Sequence, residues 1–126
     1  MEQAVYTIDG HACRDFRRTI AEFNRVFERW WGEGFWSGNI DVFNDIIDWV
    51  EEGEAYTLVW AHSEVARRQI GHQAMIDWLE NKLNQSAGHW RWQQDLALAR
   101  EGQGRTLFDW LVAIIREHAQ IDLRLE

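Results

Sequence analysis

Hydrophobic spacing along the chain alternates between short runs of period two and longer stripes of period 3.6. Ala4-Val5-Tyr6-Thr7-Ile8 is β-rich and stops at the turn pair Asp9-Gly10, which predicts a first strand. Phe16, Ile20, Phe23, Phe27 and Trp30 then fall at steps of four, three, four and three, an apolar stripe along a helix. Asp15 sits in its first turn, where a negative charge suits the helix dipole, and Gly32-Glu33-Gly34 breaks it. Phe35-Trp36-Ser37-Gly38 reads as a loop, and Asn39 as the N-cap of a second helix reaching about Val50. Ile40, Phe43, Ile46, Ile47 and Val50 form its apolar face, and Glu51-Glu52-Gly53-Glu54 ends it. Tyr56-Thr57-Leu58-Val59-Trp60 is nearly apolar throughout, as a buried parallel strand is. Ser63 is expected to cap a short helix through Gln69 or Ile70, stopped by Gly71.

From His72 to Gly104 the pattern is helical. Met75, Ile76, Leu79 and Leu83 give one stripe, Trp92, Leu96 and Ala99 another, with Ser86-Ala87-Gly88 between them. Thr106 is placed to cap a last helix whose core face is Leu107, Trp110, Leu111, Ile114 and Ile115. Ile121-Asp122-Leu123-Arg124-Leu125 alternates as a closing strand. The order predicts one α/β domain over residues 1–126, with a small sheet that is parallel through helical crossovers.

Composition changes this picture little, and charge changes it more. The 126 residues suffice for one core, and nine tryptophans without a proline argue against disorder. The net charge is −8, and all of the excess lies in one place. From Trp30 through Ala66 there is no Lys or Arg, while Glu33, Asp41, Asp45, Asp48, Glu51, Glu52, Glu54 and Glu64 all fall there. A phosphate binder needs the opposite sign, so nucleic acid is excluded as a direct ligand. No apolar run approaches the ~18 to 20 residues of a membrane span, and the start lacks a signal-peptide pattern. The single Cys13 has no internal disulfide partner, which fits a reducing cytoplasm.

At 100° per residue, Asp41, Asp45, Asp48 and Glu52 share the side of the second helix opposite its apolar face, with Asn44 at the margin. Asp41 with Asp45, and Asp48 with Glu52, are like charges one turn apart; each such pair costs an isolated helix roughly 0.2 to 0.5 kcal/mol. Acidic faces are often only solvated. Here an aromatic pair, Phe35-Trp36, stands just before the helix, and aromatics beside dense charge compose an interface anchor.

The segment Phe35-Trp36-Ser37-Gly38-Asn39-Ile40-Asp41-Val42-Phe43-Asn44-Asp45 resembles the binding segment of the barstar family, intracellular inhibitors of a small ribonuclease. Val5 to Gly10 is similar to that family's opening strand and turn, Leu58-Val59-Trp60 to its second strand, and Leu107 to Leu125 to its last helix and strand. The order of these motifs carries the likeness. It leaves out roughly residues 71–105, which resemble a helical insertion seen in larger members. The resemblance implies a three-stranded parallel sheet flanked by helices. It implies Asp45 as the main anchor in a nuclease's phosphate site and Asp41 as its neighbour at the rim of the cleft. Phe35 and Trp36 match loop aromatics that pack on the enzyme, Gly38 and Asn39 match the approach to the helix, and Asp48 lies further along the same face. Two departures stand out: Asn44 replaces a tryptophan of the family's binding helix, and Ala113 or Ile114 falls where the last helix offers an acidic contact.

Other constellations are weaker. The five histidines, His11, His62, His72, His89 and His118, lack paired metal-ligand spacing, and Asp41, Asp45 and Asp48 on one rigid helix do not wrap a cation. Cys13 near His11 hints at a thiol nucleophile, but a buried Cys beside a helix start is the plainer reading. Trp78, Trp90, Trp92 and Trp110 invite a ligand cage, yet aromatics at helical spacing usually form core. The expectation is a cytoplasmic, monomeric, non-enzymatic inhibitor without cofactor, occluding the basic active site of a ribonuclease or nuclease toxin. The alternative is an acidic interaction module that binds another basic protein without inhibiting it.

Overall fold

A computed structural model describes residues 3–85 and 90–126; the break expected at Ser86-Ala87-Gly88, His89 and the side chain of Trp90 lie outside the described residues. Three strands, β1 (Ala4–Asp9), β2 (Tyr56–Ala61) and β3 (Ile121–Leu125), form one sheet in the order β1-β2-β3. Both pairings are parallel, with Tyr56 opposite Ala4 on one side and Ile121 on the other. The central strand is the most buried: Tyr56, Leu58 and Trp60 are fully buried on one face, and on the other Thr57 is buried and Val59 half-buried. The helices between and around the strands are α1 (Phe16–Val26), α2 (Glu28–Trp31), α3 (Ile40–Ile46), α4 (Ser63–Gln69), α5 (His72–Gln85), α6 (Trp90–Arg100) and α7 (Leu107–Arg116). The domain is thus a three-stranded parallel sheet flanked by helices.

Helix starts follow the expected chemistry, with two adjustments. Asp15 is the N-cap of α1 rather than a first-turn residue; its Oδ1 accepts the Arg18 amide at 2.7 Å. Thr106 and Asp109 form a capping box at α7. Ser63 is the first residue of α4 and does not cap it; the residue before it, His62, is left-handed at φ 51°, and the Ser63 hydroxyl donates to the Glu126 carbonyl instead.

The long stripe of the first helix is not one helix. Phe27 (φ −104°, ψ 16°) interrupts it, and α2 restarts at Glu28. The kink turns two indoles toward buried acceptors. Trp30 Nε1 donates to the Tyr6 hydroxyl at 2.8 Å and Trp31 Nε1 to the Ile46 carbonyl at 2.7 Å. The second of these bonds satisfies an indole N–H that lies in the core, and the first one that is half-buried.

Gly10 follows β1 where the chain passes under the end of β2. A Cβ there would stand 2.0 Å from the His62 carbonyl oxygen, so only glycine fits. Cys13 lies close by, wholly buried, its Sγ donating to the Asp9 carbonyl at 3.4 Å. Burial pushes its thiol up from 9.0 to about 11, with the Thr19 hydroxyl and the Trp60 indole acting the other way. The buried Tyr56 hydroxyl is also pushed up, again mainly by burial.

Both shifts have one consequence for stability. The native state keeps protons that the unfolded chain releases above about pH 9, so stability falls as pH rises. The urea midpoint is expected to drop between pH 8 and pH 11, and a midpoint that rises over this window contradicts the burial of these groups.

Candidate functional site

The acidic helix is held by the loop before it. Asn39 (φ −71°, ψ 119°) caps α3, its Oδ1 accepting the Val42 amide at 3.2 Å. Gly38 takes φ +103° and packs so tightly on α1 that a Cβ would meet Ile20 Cδ1 at 2.8 Å. Trp36 is the bolt. Its backbone N–H donates to Asn24 Oδ1 and its carbonyl accepts from Asn24 Nδ2, both at 2.9 Å. Its indole N–H reaches the Asn39 carbonyl at 2.9 Å. The ring packs on Phe43 at 4.7 Å and on Phe16 and Phe23 at 5.9 Å.

This corrects one expectation. Trp36 is 1% exposed and offers no surface to a partner. Adjacent aromatics on an extended loop point to opposite sides, and here the second one went into the core. Gly38 is buried too, and shapes the approach to the helix. Phe35 is the residue left outside, 48% exposed. It does not stand alone: Trp49, 47% exposed, meets it with ring centroids 5.5 Å apart. Trp49 was missed in the sequence. The signal was its position one turn beyond Asp45, on the acidic side of the helix rather than the apolar one.

The carboxylates divide into two groups. Asp48 and Asn44 are already occupied by His118, which follows α7. His118 Nδ1 lies 2.7 Å from Asp48 Oδ1, and Nε2 lies 2.9 Å from Asn44 Oδ1. Gln120 Nε2 donates to the same Asp48 oxygen. Glu52 does not join the face at all. α3 passes at Ile47 into a 3₁₀ turn, Val50 becomes extended (ψ 131°), and Glu51 and Glu52 both take φ 54°. The expected Asp48–Glu52 pair is therefore absent. Glu51 accepts the Tyr6 hydroxyl at 2.7 Å.

Asp41 and Asp45 remain. Both are exposed on α3, and no described residue gives either carboxylate a hydrogen bond or an ion pair. The site is thus two free carboxylates one turn apart, flanked by an exposed Phe35–Trp49 pair on one side and a His118–Asp48–Asn44 cluster on the other. Such a surface can accept charge-assisted hydrogen bonds from cationic donors while two rings cover apolar surface.

Other candidates resolve as packing. His11 stacks on His62 at 4.1 Å, and Cys13 is buried with a raised pKa, which is the reverse of an activated thiol. Trp92 and Trp110 both meet Trp78 edge-on, at 5.9 and 4.9 Å, so the three rings pack on one another and do not form a closed cage. Among the described residues no cluster of three or more His, Cys, Asp or Glu is placed to hold a metal, and no helix is long and apolar enough to cross a membrane. No protein-family model, curated protein or solved structure matches the chain.

The two loop aromatics should separate in a denaturation experiment. Trp36→Ala is expected to cost about 3 to 5 kcal/mol by emptying a core site. Phe35→Ala should stay within about 0.5 kcal/mol. Equal losses contradict the division of labour between them.

Proposed function

We propose that the chain inhibits a small basic ribonuclease, in the manner of the barstar family, by placing Asp41 and Asp45 in the positions that RNA phosphates occupy. The observation that carries this reading is the unpaired state of those two carboxylates on a capped, rigid helix. A ribonuclease cleft gathers Arg, Lys and His to hold phosphates and to stabilise charge in the transition state. Carboxylates fixed one turn apart can accept hydrogen bonds from those cations, and they offer no bond to cleave. The helix is already ordered by the Asn39 cap and the Trp36 bolt, so little conformational freedom is lost on binding. A surface without Lys or Arg from Trp30 through Ala66 also draws a basic partner at long range, which speeds encounter.

Phe35 and Trp49 supply the apolar part of the contact in this reading. The family's tryptophan at the Asn44 position is missing, and Asn44 is turned to His118 instead. Trp49, one turn further along and on the Phe35 side, takes over the role of helix aromatic. The target therefore differs in detail from the nuclease that barstar itself meets. The protein acts where that nuclease is made or delivered, inside the cell.

The test is a titration against small basic ribonucleases of the host, with RNA cleavage as a parallel readout. Asp45→Ala is expected to weaken binding about tenfold or more, since hydrogen bonds to charged groups contribute about 1.5 to 3 kcal/mol. Glu64→Ala should leave it within about twofold, because Glu64 is exposed and only 3.6 Å from Arg67. Equal effects contradict the assignment. Binding that leaves RNA cleavage intact would reassign the chain to an acidic interaction module.

A further inference from the structure

We infer that α5 belongs to the same partner interface: a segment of the nuclease continues across Ser37-Gly38-Asn39 into a cleft between α1, that loop and α5. The inference rests on the inhibitor reading and enlarges its surface. A stable interface of standard size buries about 800 Å² and roughly 20 to 30 residues on each side. Phe35, Asp41, Asp45 and Trp49, with Asn44 and Asp48 tied to His118, fall far short of that. The contact must extend beyond α3, and the structure offers a concave place for it.

The cleft has a volume of about 680 Å³, and Ser37, Gly38 and Asn39 form part of its wall. That volume lies within the ~300 to 1,000 Å³ typical of binding clefts. Its apolar lining is Phe16, Ile20 and Trp78, and the carboxamides of Gln73, Asn81 and Gln85 also line it. Trp78 joins the two parts: its Nε1 donates to the Gly38 carbonyl at 3.3 Å, and its ring rests edge-on against Trp110. α5 is thereby fixed to the loop that launches the acidic helix. Gln73 Nε2 donates to Asp77 Oδ1 at 3.0 Å, which leaves its oxygen to accept, and carboxamides that donate and accept match the peptide groups of an extended segment. The cleft's charges balance, two acidic and two basic, which suits an uncharged backbone rather than a cation. A second groove shares Arg17 and Ile20 with this cleft, runs along α1 to Glu33 and Gly34, and has no aromatic lining.

Site-specific cross-linking decides this. Benzoylphenylalanine replaces Gln73, Phe35 or Ala21 in three full-length chains, each mixed with a small basic ribonuclease purified from the same cells and irradiated. Cross-links from the Phe35 and Gln73 positions, with none from Ala21, are expected. In parallel, Gln73→Ala combined with Asn81→Ala should weaken binding about tenfold. Cross-links from Phe35 alone, or from Phe35 and Ala21, overturn the cleft and leave the inhibitor reading standing. A cross-link from Gln73 alone overturns the shared interface. No cross-link from any position removes the inhibitor reading and the cleft together.

Discussion

Everything functional about this domain hangs on the seating of Trp36. A loop of a few residues must turn the chain from the end of α2 into α3, and its backbone groups must find partners as it dips into the core. Asn24 provides them, closing a two-bond ring with the Trp36 amide and carbonyl, while the indole N–H ties to the Asn39 carbonyl. Because Asn39 also caps α3, the position of one buried ring sets where the helix begins and which way it points. Phe43 and Phe23 pack on the same ring, so the helix cannot turn about its axis without opening the core. Asp41 and Asp45 are consequently held in place by the buried Trp36, Asn24, Phe23 and Phe43 and by the half-buried Asn39.

Charge is arranged on this frame by subtraction. Of the acids in the cation-free stretch, Glu51 is taken by Tyr6, Asp48 by His118 and Gln120, and Glu64 faces Arg67. Among the described residues, the carboxylates left exposed and unpaired on α3 are those of Asp41 and Asp45. Two like charges one turn apart are mildly unfavourable in the free protein. In the proposed complex a cationic partner would relieve that repulsion, which favours binding. The same logic gives the Phe35–Trp49 pair its place: exposed rings cost little on a stable core and repay a partner that covers them.

The sheet could be read from the sequence almost to the residue, because Tyr56 to Trp60 is nearly apolar throughout and Ile121 to Leu125 alternates. The helices could be read in outline from their stripes, although the first stripe breaks at Phe27, the second helix stops at Ile46 and Ser63 does not cap α4. What the sequence hid were features decided by tertiary partners. Phe35 and Trp36 look alike in a string of letters, and only Asn24, twelve residues away, determines which one is buried. The kink at Phe27 answers to acceptors on Tyr6 and Ile46. His118 reaches Asp48 and Asn44 across 70 and 74 residues, a link that no local pattern reveals. Glu52 left the helix because the chain breaks at Val50, with no proline to announce it. Trp49 was legible on the helical wheel, one turn past Asp45.

The central claim is that the acidic face occupies the place of RNA. Steady-state cleavage of RNA by the target nuclease, measured at several concentrations of this protein, tests it most directly. Occupation of the phosphate sites predicts a rising apparent KM with kcat unchanged, so that saturating RNA restores the full rate. A kcat that falls while KM stays constant would place the protein elsewhere on the nuclease and contradict the account.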